Sequence, residues 1–404
     1  MRSFSECETI DVYKSGRLGE TMSNAFIVDA VRTPRAKRKG KFSTVHPTDL
    51  LTYPLNAIVK RNHLAPDAIE DVLVGCVTQT LEQGWCIGRA AVLAAGWPHT
   101  VPATTINRLC GSGQQAVNFV ASGIRAGTYD LAIGGGVEHM TRVPMFSDCG
   151  GAESPLLTKH HPDLVQQGLA AEILAEEFNI TRDDADSFAL NSQMRAKEAA
   201  EAHRFDKSLI PVPYHNDEGT EEILSADDNP RPETTREALG GLRTVFKEEG
   251  GIITAGNASA IVDGAAAVLL ASQTALDRHN LTPRARIRAQ VAIGSPPRIM
   301  LTGPVEASKQ VLTKAGLSVS DIDVWEINEA FAPVAIMTIR ELGLDEEKVN
   351  INGGGISLGH PLGATGAMLV GTALDELERQ NKQFALVTMC IGLGMGIATI
   401  LERT

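Results

Sequence analysis

The chain repeats itself, and the repeat restricts it to folds built from two similar α/β halves. Leu64-Ala65-Pro66-Asp67-Ala68-Ile69-Glu70-Asp71-Val72 is echoed by Leu317-Ser318-Val319-Ser320-Asp321-Ile322-Asp323-Val324. Downstream of each copy, a reactive side chain precedes a glycine-spaced helical pattern: Cys110-Gly111-Ser112-Gly113 in the first, Gly359-His360-Pro361-Leu362-Gly363 in the second. Each half then closes on a strand-like run that meets glycines, at Gly134-Gly135-Gly136 and at Gly392 to Gly396. Two facing halves of this kind predict that the helix starts after Cys110 and His360 lie near a shared interface.

Short apolar runs alternating with helical patterns indicate a layered α/β fold. Val72-Leu73-Val74, Leu131-Ala132-Ile133, Val268-Leu269-Leu270 and Ala385-Leu386-Val387 predict buried strands. Ala116, Val117, Val120, Ala121 and Ile124 share one face of a helix that Gly127 caps; Ala367, Val370, Leu374 and Leu377 form the matching face after His360. Between 141 and 250 the composition turns to charged and loop-forming residues, as in Asp227-Asp228-Asn229-Pro230-Arg231-Pro232, around one helical stretch from 167 to 202. That predicts an inserted cap or loop domain rather than a third core domain.

Composition narrows the function. With 404 residues, 43% of them hydrophobic, the chain can bury a sizeable core, which excludes a disordered protein. Lys and Arg number 37 against 49 acidic residues, a formal charge of −12, so a whole-chain nucleic-acid binder is excluded. Six cysteines with irregular gaps and no C-x-x-C pair read as reduced thiols in a cytoplasmic setting, with no disulfide scaffold and no metal site. Residues 1–22 contain Glu6, Glu8, Asp11 and Glu20 and lack an apolar core, so they read as a dispensable N-terminal extension rather than a signal or transit peptide. Phe384 to Leu401 is uncharged and long enough for a membrane helix, but Gly392, Gly394 and Gly396 make it strand, turn, strand; no membrane span is expected. The basic cluster Arg32, Arg35, Lys37, Arg38, Lys39 and Lys41 reads as a solvated surface loop. Gly134-Gly135-Gly136 has no Lys-Ser/Thr after it and reads as a turn, not a phosphate loop.

Four motifs carry chemistry. A thiol at a helix start, as Cys110 is, meets the positive end of the helix dipole, which favours thiolate. His360 begins the symmetric helix and supplies a base for that thiol. Asn328-Glu329-Ala330-Phe331-Ala332 follows the strand-like Val324-Trp325-Glu326-Ile327, and Cys390-Ile391-Gly392-Leu393-Gly394 brings a second thiol with glycines whose N–H groups can approach a substrate oxygen. Each alone has a plain alternative: a buried structural cysteine, a satisfied helix-start histidine, a solvated loop, a turn between strands. Together they supply a nucleophile, a base, oxyanion donors and a second acid/base.

Taken in chain order over roughly 24–404, the motifs resemble the catalytic signatures of the thiolase family. The resemblance implies a duplicated αβαβα layered fold with an inserted loop domain. Residues 23–140 with 252–283 would form the N-terminal domain carrying the nucleophile, 141–251 the loop domain, and 284–404 the C-terminal domain. It implies that Cys110 carries the acyl group as a thioester. His360 would activate Cys110 and share one oxyanion hole with a water held by Asn328; Cys390 would protonate the departing acetyl-CoA carbanion. The N–H groups of Cys110 and Gly392 would form a second oxyanion hole. Ser259 in Thr254-Ala255-Gly256-Asn257-Ala258-Ser259 would meet the pantetheine arm, Arg231 the adenine nucleotide, and Ala258 and Phe331 would line the same path. Two departures stand out: Ala260 where the family often has glycine, and Gln166-Gln167-Gly168 where a methionine often precedes the glycine.

The implied reaction is CoA-dependent thiolytic cleavage of a 3-ketoacyl-CoA to acetyl-CoA and a shortened acyl-CoA, or the reverse Claisen condensation. Coenzyme A would be a co-substrate, with no cofactor held permanently. Gly135-Gly136-Val137-Glu138-His139-Met140 leans toward degradative members. A decarboxylating ketoacyl synthase is disfavoured, since those enzymes pair cysteine with two histidines whereas this chain offers Asn328 and Cys390. A non-catalytic lipid-binding relative would be free to lose Cys110, His360 or Cys390, and all three are present. The resemblance further implies a homodimer or homotetramer and leaves room for a β-oxidation partner subunit.

Overall fold

The computed structural model describes residues 24–152 and 154–404; the expected extension at 1–22 lies outside them. In chain order, the first stretch holds β1 (Phe26–Arg32), β2 (Ala36–Lys37), α1 (Pro47–Arg61), β3 (Asp71–Gly75), α2 (Ile87–Ala94), β4 (Ala103–Ile106), α3 (Ser112–Arg125) and β5 (Leu131–His139). A less regular stretch follows, with α4 (Pro155–His160), α5 (Gln167–Glu177), α6 (Arg182–Glu201), a small hairpin of β6 (Val212–His215) and β7 (Glu221–Leu224), and α7 (Arg236–Gly240). The last comprises β8 (Val262–Ala271), α8 (Gln273–His279), β9 (Ala285–Gly294), α9 (Gly303–Ala315), β10 (Val324–Ile327), α10 (Ala332–Leu342), α11 (Leu362–Arg379), β11 (Phe384–Ile391) and β12 (Met395–Arg403).

The repeat in the sequence is a repeat of strand order. The main sheet runs β10-β11-β12-β9-β1-β8-β5-β3-β4, with β2 paired to β8 off this path. Reading outward from the central β9–β1 contact, each side meets two antiparallel neighbours and then a parallel pair: β12, β11, β10 on one side and β8, β5, β3 on the other. All four predicted strand runs lie in this sheet, in β3, β5, β8 and β11. The helices α3 and α11 pack on each other and on the sheet. The α3 face of Ala116, Val117, Val120, Ala121 and Ile124 is essentially solvent-free. Burying an aliphatic side chain such as Ile124 contributes about 1.5–3 kcal/mol. Gly127 lies one residue beyond the C-cap Ala126, with φ 70°.

Three expectations change. Gly134-Gly135-Gly136 is not a turn but the interior of β5. A Cβ on Gly134 would fall 2.7 Å from the Val117 backbone, so that glycine lets α3 approach the sheet, while Gly136 does the same for Gly363 of α11. The stretch from 167 to 202 is two helices, α5 and α6. Asn179 turns left-handed between them (φ 52°), and Thr181 with Asp184 forms a capping box that starts α6. The basic cluster divides: Lys37, Arg38, Lys39 and Lys41 are exposed, but Arg32 and Arg35 are buried. Arg32 makes a bidentate pair with Asp227 at 2.7 and 2.8 Å, and the Arg35 N–H donates to the same carboxylate at 2.8 Å. Phe384 to Leu401 forms the β11–β12 hairpin, and among the described residues no helix is long and apolar enough to cross a membrane.

Candidate active site

The turn before α3 is held by its own polar groups. Leu109 adopts a left-handed conformation (φ 46°), which costs a non-glycine residue about 1–2 kcal/mol. Its N–H donates to Asn107 Oδ1 at 2.8 Å, while the Ser112 hydroxyl donates to the Leu109 carbonyl at 2.6 Å and accepts the Arg108 N–H at 2.8 Å. This turn delivers Cys110 to the helix start, where the residue is 6% exposed. Burial pushes its thiol above the ordinary value; donation from the Gln167 side-chain amide and the Gly392 N–H opposes that shift, and the charge of Glu138 adds to it. The sequence predicts a thiolate favoured by the helix dipole. Burial opposes that effect and holds the thiol above its ordinary value.

His360 precedes α11 and is 3% exposed. Its N–H donates to the Ala260 carbonyl at 3.0 Å. Nδ1 lies 2.6 Å from Thr365 Oγ1, and the Thr365 hydroxyl donates to the Pro361 carbonyl at 3.1 Å. A hydroxyl has one proton to give, so Thr365 accepts from Nδ1–H and leaves the lone pair on Nε2. Nε2 faces the Asn328 side-chain amide at 3.3 Å. Burial first, and the nearby Arg35 charge second, push the imidazole down to about 3. At neutral pH it is therefore an uncharged ring whose base nitrogen accepts from the Asn328 amide.

Asn328 leaves the end of β10, its N–H donating to the Thr388 carbonyl at 3.0 Å, and its buried Oδ1 has no hydrogen-bond partner among the described residues. Cys390, near the end of β11, is fully buried; burial and then the proximity of Cys110 push its thiol far up. The sulfur of Cys110 is thus met by Gly392 and lies within electrostatic reach of Cys390, while His360 pairs with Asn328. The starts of α3 and α11 touch, since a Cβ on Gly113 would fall 2.6 Å from the Gly363 carbonyl.

The residues assigned to coenzyme A divide. Ala258 bridges Phe331, and the Ser259 N–H donates to the Ala330 carbonyl at 2.9 Å, so this loop runs directly beside the Asn328 motif. A cleft of about 400 Å³ opens next to it, lined by Arg231, Gln193, Asn229, Thr234, Ala260 and Ile356 among others. Arg231 is exposed at this cleft, and Ala260 connects it to His360; Ser259, Ala258 and Phe331 are not part of its lining. Phe331 instead meets Phe246 edge-on, ring centroids 6.0 Å apart. Three neighbours of the reactive groups escaped the sequence reading of the site. Thr365 lies five residues past His360 and was open to discovery along the helix. Gln167 was visible only as a departure from a pattern. Arg35 was hidden by averaging over a charged run.

Family models match both halves: Thiolase, N-terminal domain, over residues 25–274, and Thiolase, C-terminal domain, over residues 281–403. The 3-ketoacyl-CoA thiolase FadA of Escherichia coli (strain K12) is 46% identical over 388 residues, spanning 95% of this chain and 100% of that protein. A 3-ketoacyl-CoA thiolase of Klebsiella pneumoniae subsp. pneumoniae is similar to the same extent. Among solved structures, human mitochondrial 3-ketoacyl-CoA thiolase superposes with a TM-score of 0.86 at 37% identity, covering 95% of this chain and 100% of that one. The Bacillus anthracis acetyl-CoA acetyltransferase superposes with a TM-score of 0.89 at 35% identity, covering 96% and 100%. By sequence across both halves and by fold over nearly its whole length, this chain belongs to the thiolase family.

Proposed function

We propose that the chain is a 3-ketoacyl-CoA thiolase, cleaving a 3-ketoacyl-CoA with coenzyme A to acetyl-CoA and a shortened acyl-CoA. The observation that carries this is the placement, at two touching helix starts, of a buried thiol that meets the Gly392 N–H and of a neutral imidazole whose base nitrogen faces the Asn328 amide. His360 Nε2 takes the Cys110 proton, and the sulfur attacks the C3 ketone, whose oxygen turns toward the N–H groups of Cys110 and Gly392. The C2–C3 bond breaks; the enolate oxygen of the departing acetyl-CoA is received at His360 and Asn328, and Cys390 gives C2 its proton. Coenzyme A then yields its thiol proton to Cys390 and attacks the thioester, while Cys110 recovers its own proton from His360. Ser259, Ala258 and Phe331 border the pantetheine path, and Arg231 sits where the nucleotide end emerges. No step calls for a permanently held cofactor.

Assembly belongs to the same reading. Trp85 is 98% exposed and Leu81 71%, and both precede β4, a sheet edge that leads straight into the Cys110 turn. An apolar surface beside an open strand edge fits a second copy of the chain, as a homodimer or a dimer of dimers.

The test is turnover of 3-ketoacyl-CoA substrates from C4 to C16 with coenzyme A, followed as loss of the magnesium-enolate absorbance, beside a Cys110→Ala variant. Turnover that vanishes in the variant is expected. Silence of the folded wild type across the series overturns the assignment. Sedimentation of the same preparation as a monomer would sink the assembly.

A further inference from the structure

One buried charge beside the reactive residues takes no part in the steps above. Glu138, near the end of β5, is fully buried, and each of its oxygens accepts two hydrogen bonds. Oε1 accepts the Thr78 N–H at 3.1 Å and the Gln83 side-chain amide at 2.8 Å. Oε2 accepts the Val77 N–H and the Gly363 N–H, both at 2.9 Å. Val77 and Thr78 follow β3 in the nucleophile half. Gly363 stands in the first turn of α11, three residues after His360. Four donors around the group are satisfied by the carboxylate rather than the acid, although burial raises its pKa above the ordinary value.

The backbone around Gly363 makes this tie matter. A Cβ on Gly363 would lie 2.7 Å from both Cys76 Cα and the Val137 carbonyl, and the Gly363 carbonyl occupies the space that side chains at Gly75, Gly113 and Gly136 would need. Backbone-to-backbone contact of this kind brings the halves together at Gly363, which has no side chain to fix its place on the sheet; Ala364, Ala367 and Met368 pack into the core farther along α11. Hydrogen bonds are directional and supply what the glycines lack.

We propose that Glu138 is a positioning residue: its carboxylate, by holding the first turn of α11 on the β3–β5 part of the sheet, sets where His360 stands relative to Cys110. The inference rests on the thiolase reading only for the use to which that geometry is put. Displacing a catalytic group by about 1 Å can cost on the order of 100-fold in rate.

Glu138→Gln keeps the volume but turns one acceptor into an NH2 facing two N–H donors; Glu138→Asp keeps charge and acceptors on a shorter arm. The rate of Cys110 alkylation by iodoacetamide at neutral pH, assigned by peptide mass spectrometry, needs no substrate and so stands apart from the reaction assignment. Glu138→Gln is expected to slow it about tenfold and His360→Gln at least as much. The double variant is expected to be no slower than His360→Gln alone, because the two act as one unit. The sign is informative, since losing a negative charge near the sulfur would by itself favour thiolate and speed the reaction. Alkylation of Glu138→Gln at or above the wild-type rate, or effects that multiply in the double variant, overturns the proposal. Glu138→Asp carries the same comparison if the Gln variant fails to fold. With a 3-ketoacyl-CoA, kcat should fall while KM for coenzyme A stays within about twofold; wild-type silence there sinks the reaction assignment and leaves the alkylation result standing.

Discussion

At the start of α3 the reactive side chain is placed by the backbone beneath it, whereas at the start of α11 the reactive ring is gripped by its own atoms. The Cys110 sulfur meets donors that arrive from elsewhere, the Gly392 N–H from the β11–β12 turn and the Gln167 amide from α5. His360 is held at one nitrogen by Thr365 of its own helix and faces Asn328 with the other. Duplication supplied two equivalent backbones, and the difference lies in what surrounds each side chain. On the proposed reaction the thiol must let an acyl group form on it and leave, and the donors that meet it come from other parts of the chain. The proposed base must keep one nitrogen aimed, and its other nitrogen is tied to Thr365.

The strongest way to break this comparison is to remove the gripped ring. His360→Gln should lower kcat by about 10²–10⁴-fold, read in steady-state thiolysis. A loss of less than tenfold would mean that Cys110 does not depend on the ring. The same variant reads its burial. The folded imidazole is held at about 3, against an ordinary 6.5. Below 6.5 the unfolded chain takes up a proton that the folded chain refuses, so stability falls as pH drops from 6.5 toward 3, and this group adds no slope above that window. Its share is at most about 1.4 kcal/mol per pH unit. Urea unfolding at pH 7 and pH 5 should therefore show a smaller acid loss in His360→Gln than in wild type. Parallel losses would mean that the ring is not buried as the neutral base. The smallest effect sharpens the comparison. Thr365→Val preserves shape but removes the acceptor for Nδ1–H, and should cost about tenfold in kcat with KM for coenzyme A unchanged. An unaltered kcat would show that Asn328 and packing alone aim the ring.

What could be read in the sequence was whatever depends on near neighbours. The strand runs at Val72, Leu131, Val268 and Ala385, the two helix faces, and the glycine-spaced hairpin at Gly392 to Gly396 are local patterns of apolarity and turn chemistry, and they lie where those patterns put them. The reactive residue types were legible because thiol and imidazole recur at equivalent points of the repeat. Contacts across great separations were not. Arg32 looked solvated because nothing around it announces Asp227, 195 positions away. Gly134 to Gly136 looked like a turn because glycine signals both a bend and a close approach; which one applies was decided by Val117 and by Gly363, 227 residues beyond Gly136. The helix dipole at Cys110 is likewise a local effect, whereas the burial that opposes it is a property of the whole fold.

The glycine crossing at Gly75, Gly113, Gly136 and Gly363 also bears on how the enzyme comes into being. Gly363 reaches the other three only when the second half of the chain meets the first, so the crossing closes a long loop and should form late in folding. Until then Cys110 lacks the donor from Gly392, and His360 has no nucleophile beside it. A chain still being assembled would carry only an ordinary thiol and an ordinary imidazole. The arrangement that the proposed reaction uses would exist only once that last backbone contact closes.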